Sequence, residues 1–219
     1  LNAVGGWSVY HRGVNGGTNP EQYSLELNET SAQSDDQWMQ DTAPTSTQFS
    51  INTFDSVNNN GSTYVAYLFA HNNNDGGFGP DSDDIIKCGS FTTDANEDAT
   101  IDLGFEPQFV MFKRADSSTG GDWNVYDTMR GMQGDFLSQA SLLEWNTTDS
   151  EDSTTNRIAI TPTGFKVDNY GASRTYIYMA IRRGGMQTPT TPSDVFAINT
   201  TGTNDSPNNN FTVGFDVDL

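Results

Sequence analysis

An all-β fold is what this sequence predicts, on three observations. Helix formers are scarce, while Asn, Asp, Ser, Thr and 21 glycines separate short apolar runs. Phe, Tyr and Trp make up 11% of the residues, as in sheets built on aromatic cross-strand pairs. Turn signals divide each stretch of about 110 residues into six or seven short strands, the pattern of a β-sandwich or jelly roll. With 219 residues, 34% of them hydrophobic, the chain is long enough for a real core and too apolar to be wholly disordered.

The elements follow in chain order. Trp7-Ser8-Val9-Tyr10 alternates and closes on Arg12-Gly13. Leu27-Asn28-Glu29-Thr30 reads as a side-chain-bonded turn after a strand. Residues 63–70 form a continuous β-branched and aromatic run after Asn58-Asn59-Asn60-Gly61. That predicts a central strand buried on both faces and carrying Tyr64, Tyr67 and Phe69. Residues 101–114 read as a strand pair turned at Gly104-Phe105-Glu106-Pro107, with 109–113 as a core strand. In Trp123-Asn124-Val125-Tyr126 the alternation puts Trp123 and Val125 on one face and Asn124 and Tyr126 on the other. Residues 135–145 are the only stretch resembling a helix, of one or two turns at most. Residues 175–181, with Tyr176, Tyr178 and Ile181, follow Asn169-Tyr170-Gly171 and predict a second central strand.

The chain also repeats itself. Trp7-Ser8-Val9-Tyr10 answers Trp123-Asn124-Val125-Tyr126, each closing on Arg-Gly, at Arg12 and Arg130. Asn28 answers Asn146, and Thr63-Tyr64-Val65-Ala66-Tyr67 answers Thr175-Tyr176-Ile177-Tyr178-Met179. Asp194-Val195-Phe196 and Gly214-Phe215 answer Asp84-Ile85-Ile86 and Gly104-Phe105. Landmarks in one order with drifting offsets are what loop-length changes between two copies produce. The expected division is residues 1–86, a first repeat lacking its opening strands; 87–193, a complete repeat; and 194–219, the opening strands of a further repeat or the complement of the first. We read the chain as a window of a longer array, with a circularly closed domain as the alternative. On either reading Phe211, Val213 and Phe215 belong to an assembly strand that pairs beside residues 1–86.

Charge narrows the partners. The net charge is −19, from 29 acidic and 10 basic side chains, and residues 1–86 hold a single cation, Arg12. Such a balance argues against nucleic acid and against an anionic membrane surface, since both recruit Lys and Arg. It fits a heavily solvated surface. One cysteine, Cys88, forms no internal disulfide.

Candidate chemistry is sparse. His11 and His71 lack counterparts in the other copy, no G-x-S-x-G elbow is present, and both read as surface histidines. Acids lie mostly in polar turns, and among Glu26, Glu106 and Glu144, nearest to strands, nothing selects a hydrolytic pair. Asp94, Asn96 and Asp98 alternate oxygen ligands as hard-cation loops do, marking a structural Ca2+ site; residues 75–83 have a similar composition. Trp7 and Trp123 share a repeat position and read as core. Trp38, in the polar stretch 34–41, reads as an exposed ligand-binding aromatic. Arg130 reads as the clamp of a loop through Asp127. The N-x-S/T triplets headed by Asn28, Asn60, Asn146, Asn199, Asn204 and Asn210 arise mostly from composition.

Gly104-Phe105-Glu106-Pro107-Gln108-Phe109-Val110, Lys113-Arg114, Trp123, Asp127, Arg130-Gly131, Asn146-Thr147-Thr148, Gly164-Phe165 and the run from Thr175 to Gly184 resemble a repeated domain of tailed-phage virion proteins, common in phages of marine bacteria. The resemblance covers nearly the whole chain. It implies lectin-like β-sandwiches in a tail fibre, head fibre or decoration protein, and brings no catalytic residues. The expectation is therefore a non-enzymatic component of the virion surface, outside the cell, without a cofactor. Its expected partners are other copies of itself, other virion proteins and a host-surface glycan. A carbohydrate-binding module of a secreted or cell-surface protein is the alternative.

Overall fold

The computed structural model describes residues 6–45, 47–69, 71, 84–136, 140–153 and 157–184. Among them lie eleven strands: β1 (Ser8–Val9), β2 (Tyr23–Glu26), β3 (Ser34–Asp35), β4 (Ile86–Thr92), β5 (Ala99–Asp102), β6 (Pro107–Arg114), β7 (Trp123–Asp127), β8 (Leu143–Glu144), β9 (Ile158–Thr161), β10 (Gly164–Val167) and β11 (Thr175–Arg182). One short helix, α1 (Asp55–Asn58), joins them. The strands form three antiparallel sheets, ordered β1-β2-β3, β5-β10-β9 and β4-β11-β6-β7-β8. The chain is mostly β, as the sequence predicts. Residues 1–183 form one compact unit.

β11 sits inside the five-stranded sheet, in register over seven residue pairs with β4 on one side and over six with β6 on the other, where the register shifts between Ile181 and Arg182. Period-two alternation then sends its side chains two ways. Tyr176, Tyr178 and Ala180 enter a core with Val110, Phe112 and Tyr126 of the same sheet. Ile101, Ile158, Phe165 and Val167 of the β5-β10-β9 sheet meet them there. Ile177 enters a second core on the opposite face, with Ala115, Trp123, Val14 and Leu25. The predicted central strand at 175–181, with Tyr176, Tyr178 and Ile181, is thus observed, as is the split of Trp123 from Tyr126. Gly104, at φ +75°, makes the turn ahead of β6 that the Gly-Phe-Glu-Pro sequence signals.

The second core joins the N-terminal segment to the large sheet across residue 86. The Trp123 indole N–H donates to the Glu26 carbonyl at 2.9 Å, and Lys113 Nζ donates to the Glu29 carbonyl at 3.2 Å. Lys113 is buried beside the Trp123 ring, and burial lowers its pKa to about 8, with the Asp122 charge opposing the shift. Gly13 lies against β4 so closely that a Cβ there would stand 2.8 Å from the Gly89 carbonyl oxygen.

Several expectations need correction. Residues 63–69 form no strand, and Tyr64, Tyr67 and Phe69 are exposed, Tyr67 to 70%. Their counterpart β11 is held by β4 and β6, whereas 63–69 has no ladder partner among the described residues, and a strand without neighbours cannot satisfy its backbone. The helix-like stretch 135–145 contributes β8 instead, and the α-helix is at Asp55–Asn58. His11 is no surface residue. It is buried, with Nδ1 accepting from the Gly13 N–H at 3.0 Å, so Nε2 carries the proton and donates to the Tyr178 carbonyl at 2.9 Å. The strand of Phe211, Val213 and Phe215, and the stretch 75–83, lie outside the described residues.

Two tests follow from these contacts. Leu25→Ala, which empties part of the second core, is expected to cost about 2–5 kcal/mol in urea unfolding. Burial lowers the His11 pKa to about 4, below its ordinary 6.5, with the Tyr178 hydrogen bond opposing and the charges of Arg12 and His71 adding. The unfolded chain then binds the extra proton first, so stability from this group is full above pH 6.5 and is lost as pH falls toward 4. The loss is on the order of 3 kcal/mol. Denaturant midpoints of wild type and His11→Gln should converge over that window; a constant gap would contradict the assignment.

Candidate functional site

Two strand pairs among the described residues share a hydrogen-bond pattern. β1 pairs with β2 through Ser8–Glu26 and Val9–Leu25, and β7 pairs with β8 through Asn124–Glu144 and Val125–Leu143. Asn28 Oδ1 accepts from the Trp7 N–H at 2.8 Å, and Asn146 Oδ1 accepts from the Trp123 N–H at 2.8 Å. The Trp7 carbonyl accepts from Leu27, as the Trp123 carbonyl accepts from Trp145. Ser24 pairs with Ser34 in the first copy, and Leu142 bridges Asp152 in the second. Asn28 and Asn146 are therefore the side-chain-bonded turns that the sequence predicts.

Each copy carries a cleft at this place, flanked by equivalent glutamates, Glu26 and Glu144. The first, of about 150 Å³, is lined by Ser8, Ser24, Glu26, Asp36, Trp38, Phe54 and Ser56. Asp36 organises it. Its carboxylate accepts from the Ser24 hydroxyl and, at 3.3 Å, from the Trp38 backbone N–H. The Trp38 carbonyl accepts from Asn52 at 2.6 Å, fixing the indole from both sides of its peptide. Gly6 makes room for Glu26, because a Cβ at position 6 would stand 2.6 Å from Glu26 Oε1. Among the described residues the Glu26 carboxylate has no hydrogen-bond partner.

Trp38 therefore departs from its expected role as an exposed aromatic. It is only 9% exposed and forms part of the wall, and its indole Nε1–H is buried without an acceptor among the described residues. An unpaired buried donor of this kind costs about 1–3 kcal/mol. Trp7 reverses expectation the other way. It is 43% exposed while Trp123 is buried, so the shared position does not carry a shared packing role. Missed from sequence were Phe54 and Ser56, which α1 and its N-cap bring to the cleft from far along the chain. The glutamate could have been singled out, since Glu26 and Glu144 stand at the same repeat offset as Asn28 and Asn146.

The second cleft, of about 180 Å³, is lined by Leu142, Glu144, Asp149, Ser150 and Asp152. Burial raises the Glu144 pKa, and the charges of Asp122, Asp149 and Asp152 raise it further. Arg130 closes the neighbouring turn as the sequence predicts, with Nη2 at 2.5 Å from Asp127 Oδ2. Asp127 also caps that turn by accepting from the Arg130 N–H at 2.9 Å.

The loop of Asp94, Asn96 and Asp98 is organised from within. Asp94 Oδ1 accepts from the N–H groups of Asn96 and Asp98 at 2.8 and 3.0 Å. The Asp98 carboxyl is held above its ordinary range, first by hydrogen bonding to the Asp168 side chain, then by desolvation and the charges of Asp168 and Asp94. Among the described residues no three His, Cys, Asp or Glu side chains converge in metal-ligand geometry, and no helix is long and apolar enough to cross a membrane.

Residues 1–183 match a family described as a domain of unknown function, DUF7483. No curated protein and no solved structure matches the chain.

Carbon-13 titration tests the electrostatics of the second cleft. Asp149→Asn and Asp152→Asn should each bring the Glu144 pKa down toward the ordinary glutamate value, because each removes a like charge. An unchanged Glu144 titration in both variants would show that those carboxylates do not face it.

Proposed function

The chain belongs to the DUF7483 family, and we propose that it is a non-enzymatic structural component of a virion surface, as a tail fibre, head fibre or capsid decoration built from tandem β-sandwich repeats. The observation that carries this reading is the exposed apolar run at residues 64–69. Val65, Tyr67, Leu68 and Phe69 are all more than half exposed, and Trp7 stacks on Tyr67 at 6.3 Å between ring centroids. Contiguous apolar surface of this kind marks an interaction site. The run has the composition of a buried strand, and its counterpart β11 is paired along both edges. Such a segment accepts a strand from another copy of the protein, as in β-strand addition. Head-to-tail addition builds linear arrays, the geometry of fibres and coats. The net charge of −19 keeps such arrays from clumping non-specifically. The likeness of the Gly104–Gly184 motifs to a repeated tailed-phage virion domain supplies the setting.

Two measurements test the reading. Antibodies against this chain should label the surface of particles produced from the genome that encodes it; unlabelled particles lacking the polypeptide would end the proposal. In sedimentation velocity the wild-type chain should self-associate with rising concentration, while Tyr67→Ser/Leu68→Ser stays monomeric. Equal behaviour of the two would remove residues 64–69 as the interface.

A further inference from the structure

We infer that the cleft between Glu26 and Trp38 is a binding site for a single neutral sugar ring. This inference is independent of the virion reading, since it concerns only the chemistry of the cleft.

Size sets the first limit. A cleft of about 150 Å³ holds the equivalent of about five waters and falls below the range of about 300–1,000 Å³ typical of drug-sized ligands. Lining chemistry sets the second. Glu26 is an acceptor, the Ser8 and Ser56 hydroxyls both donate and accept, and the Ser24 hydroxyl, its proton given to Asp36, accepts. Trp38 and Phe54 add apolar ring surface. An anion is repelled by the Glu26 and Asp36 carboxylates, and an apolar ligand would leave Glu26 and the hydroxyls unpaired. A bare cation is poorly served, because both oxygens of Asp36 are already engaged by Ser24 and by the Trp38 N–H, which leaves Glu26 as the one uncommitted carboxylate. A ligand with several hydroxyls on an apolar ring frame satisfies every wall at once. Adjacent hydroxyls donate to Glu26, and C–H faces lie on the aromatic surfaces.

The Trp38 indole supplies the independent observation. Its Nε1–H is buried on a residue that lines the cleft and has no acceptor among the described residues. A sugar hydroxyl or ring oxygen is an acceptor of the kind this donor lacks. The matching cleft in the second copy separates the two roles. It keeps the glutamate as Glu144, but has neither aromatic wall and adds Asp149 and Asp152. Recognition of a neutral sugar is therefore assigned to the first copy alone.

Glucose, galactose, mannose and N-acetylglucosamine are the probes, each titrated into the millimolar range against the full chain labelled with nitrogen-15. The readout is the Trp38 indole N–H resonance, assigned by its loss in Trp38→Phe. At least one sugar should shift it saturably, and Glu26→Gln should weaken that binding about tenfold while Glu144→Gln leaves it unchanged. Phe54→Ala, at a half-exposed ring, is the second variant and should also weaken it if Glu26→Gln does not fold. No saturable shift with any of the four sugars would overturn the inference. So would a shift that survives Glu26→Gln and Phe54→Ala, or one abolished by Glu144→Gln.

Discussion

The whole architecture depends on covering both faces of one strand. β11 carries apolar side chains at successive positions, so period two sends Tyr176, Tyr178 and Ala180 to one side and Ile177 to the other. Neither face can meet water without a large loss of burial. The β5-β10-β9 sheet covers the first face, and the N-terminal segment covers the second with Val14 and Leu25. That second cover is short of regular structure, and buried polar anchors make up for it. Lys113, His11 and the Trp123 indole each reach a main-chain carbonyl across the interface. Burial lowers the pKa of the first two, which is the electrostatic cost of anchoring a loop-rich segment on an apolar face.

The two clefts sit on strand pairs with the same backbone pattern and differ in their walls. A tryptophan backbone N–H bound by an asparagine side chain, followed by a leucine-glutamate strand, recurs in both copies with the same register. The glutamate follows the leucine on that strand and stands beside the cleft in each. Around this shared frame the walls have diverged. One cleft gathers Trp38 and Phe54, and the other gathers carboxylates that add to burial in raising the pKa of Glu144. The fixed backbone pattern positions a site, and the loops set its chemistry.

Much of this was legible in the sequence, for local reasons. The β class, the β11 strand, the facing of Trp123 against Tyr126, the turn at Gly104 and the Arg130–Asp127 clamp all follow from patterns within a few residues. What escaped depends on contacts between distant segments. Residues 63–69 carry the same strand chemistry as 175–181, yet only the latter lie between two neighbours. His11 looks like a surface histidine until the Tyr178 carbonyl, 167 positions away, is brought to it. Trp38 sits in a polar stretch that predicts exposure, and packing buries it. The cleft itself is assembled from four separate segments, so no motif announces it.

Native-state hydrogen exchange tests most directly whether the N-terminal segment and the large sheet are one cooperative unit. Leu25 in β2 and Ile177 in β11 both contribute side chains to the second core, together with Trp123. If covering both faces of β11 is the governing constraint, the Leu25 and Ile177 amides exchange only through global opening, with equal free energies and equal dependence on denaturant. Leu25 exchanging at a free energy several kcal/mol below that of Ile177, with β11 protection intact, would contradict it by showing that the sheet stands without its second cover.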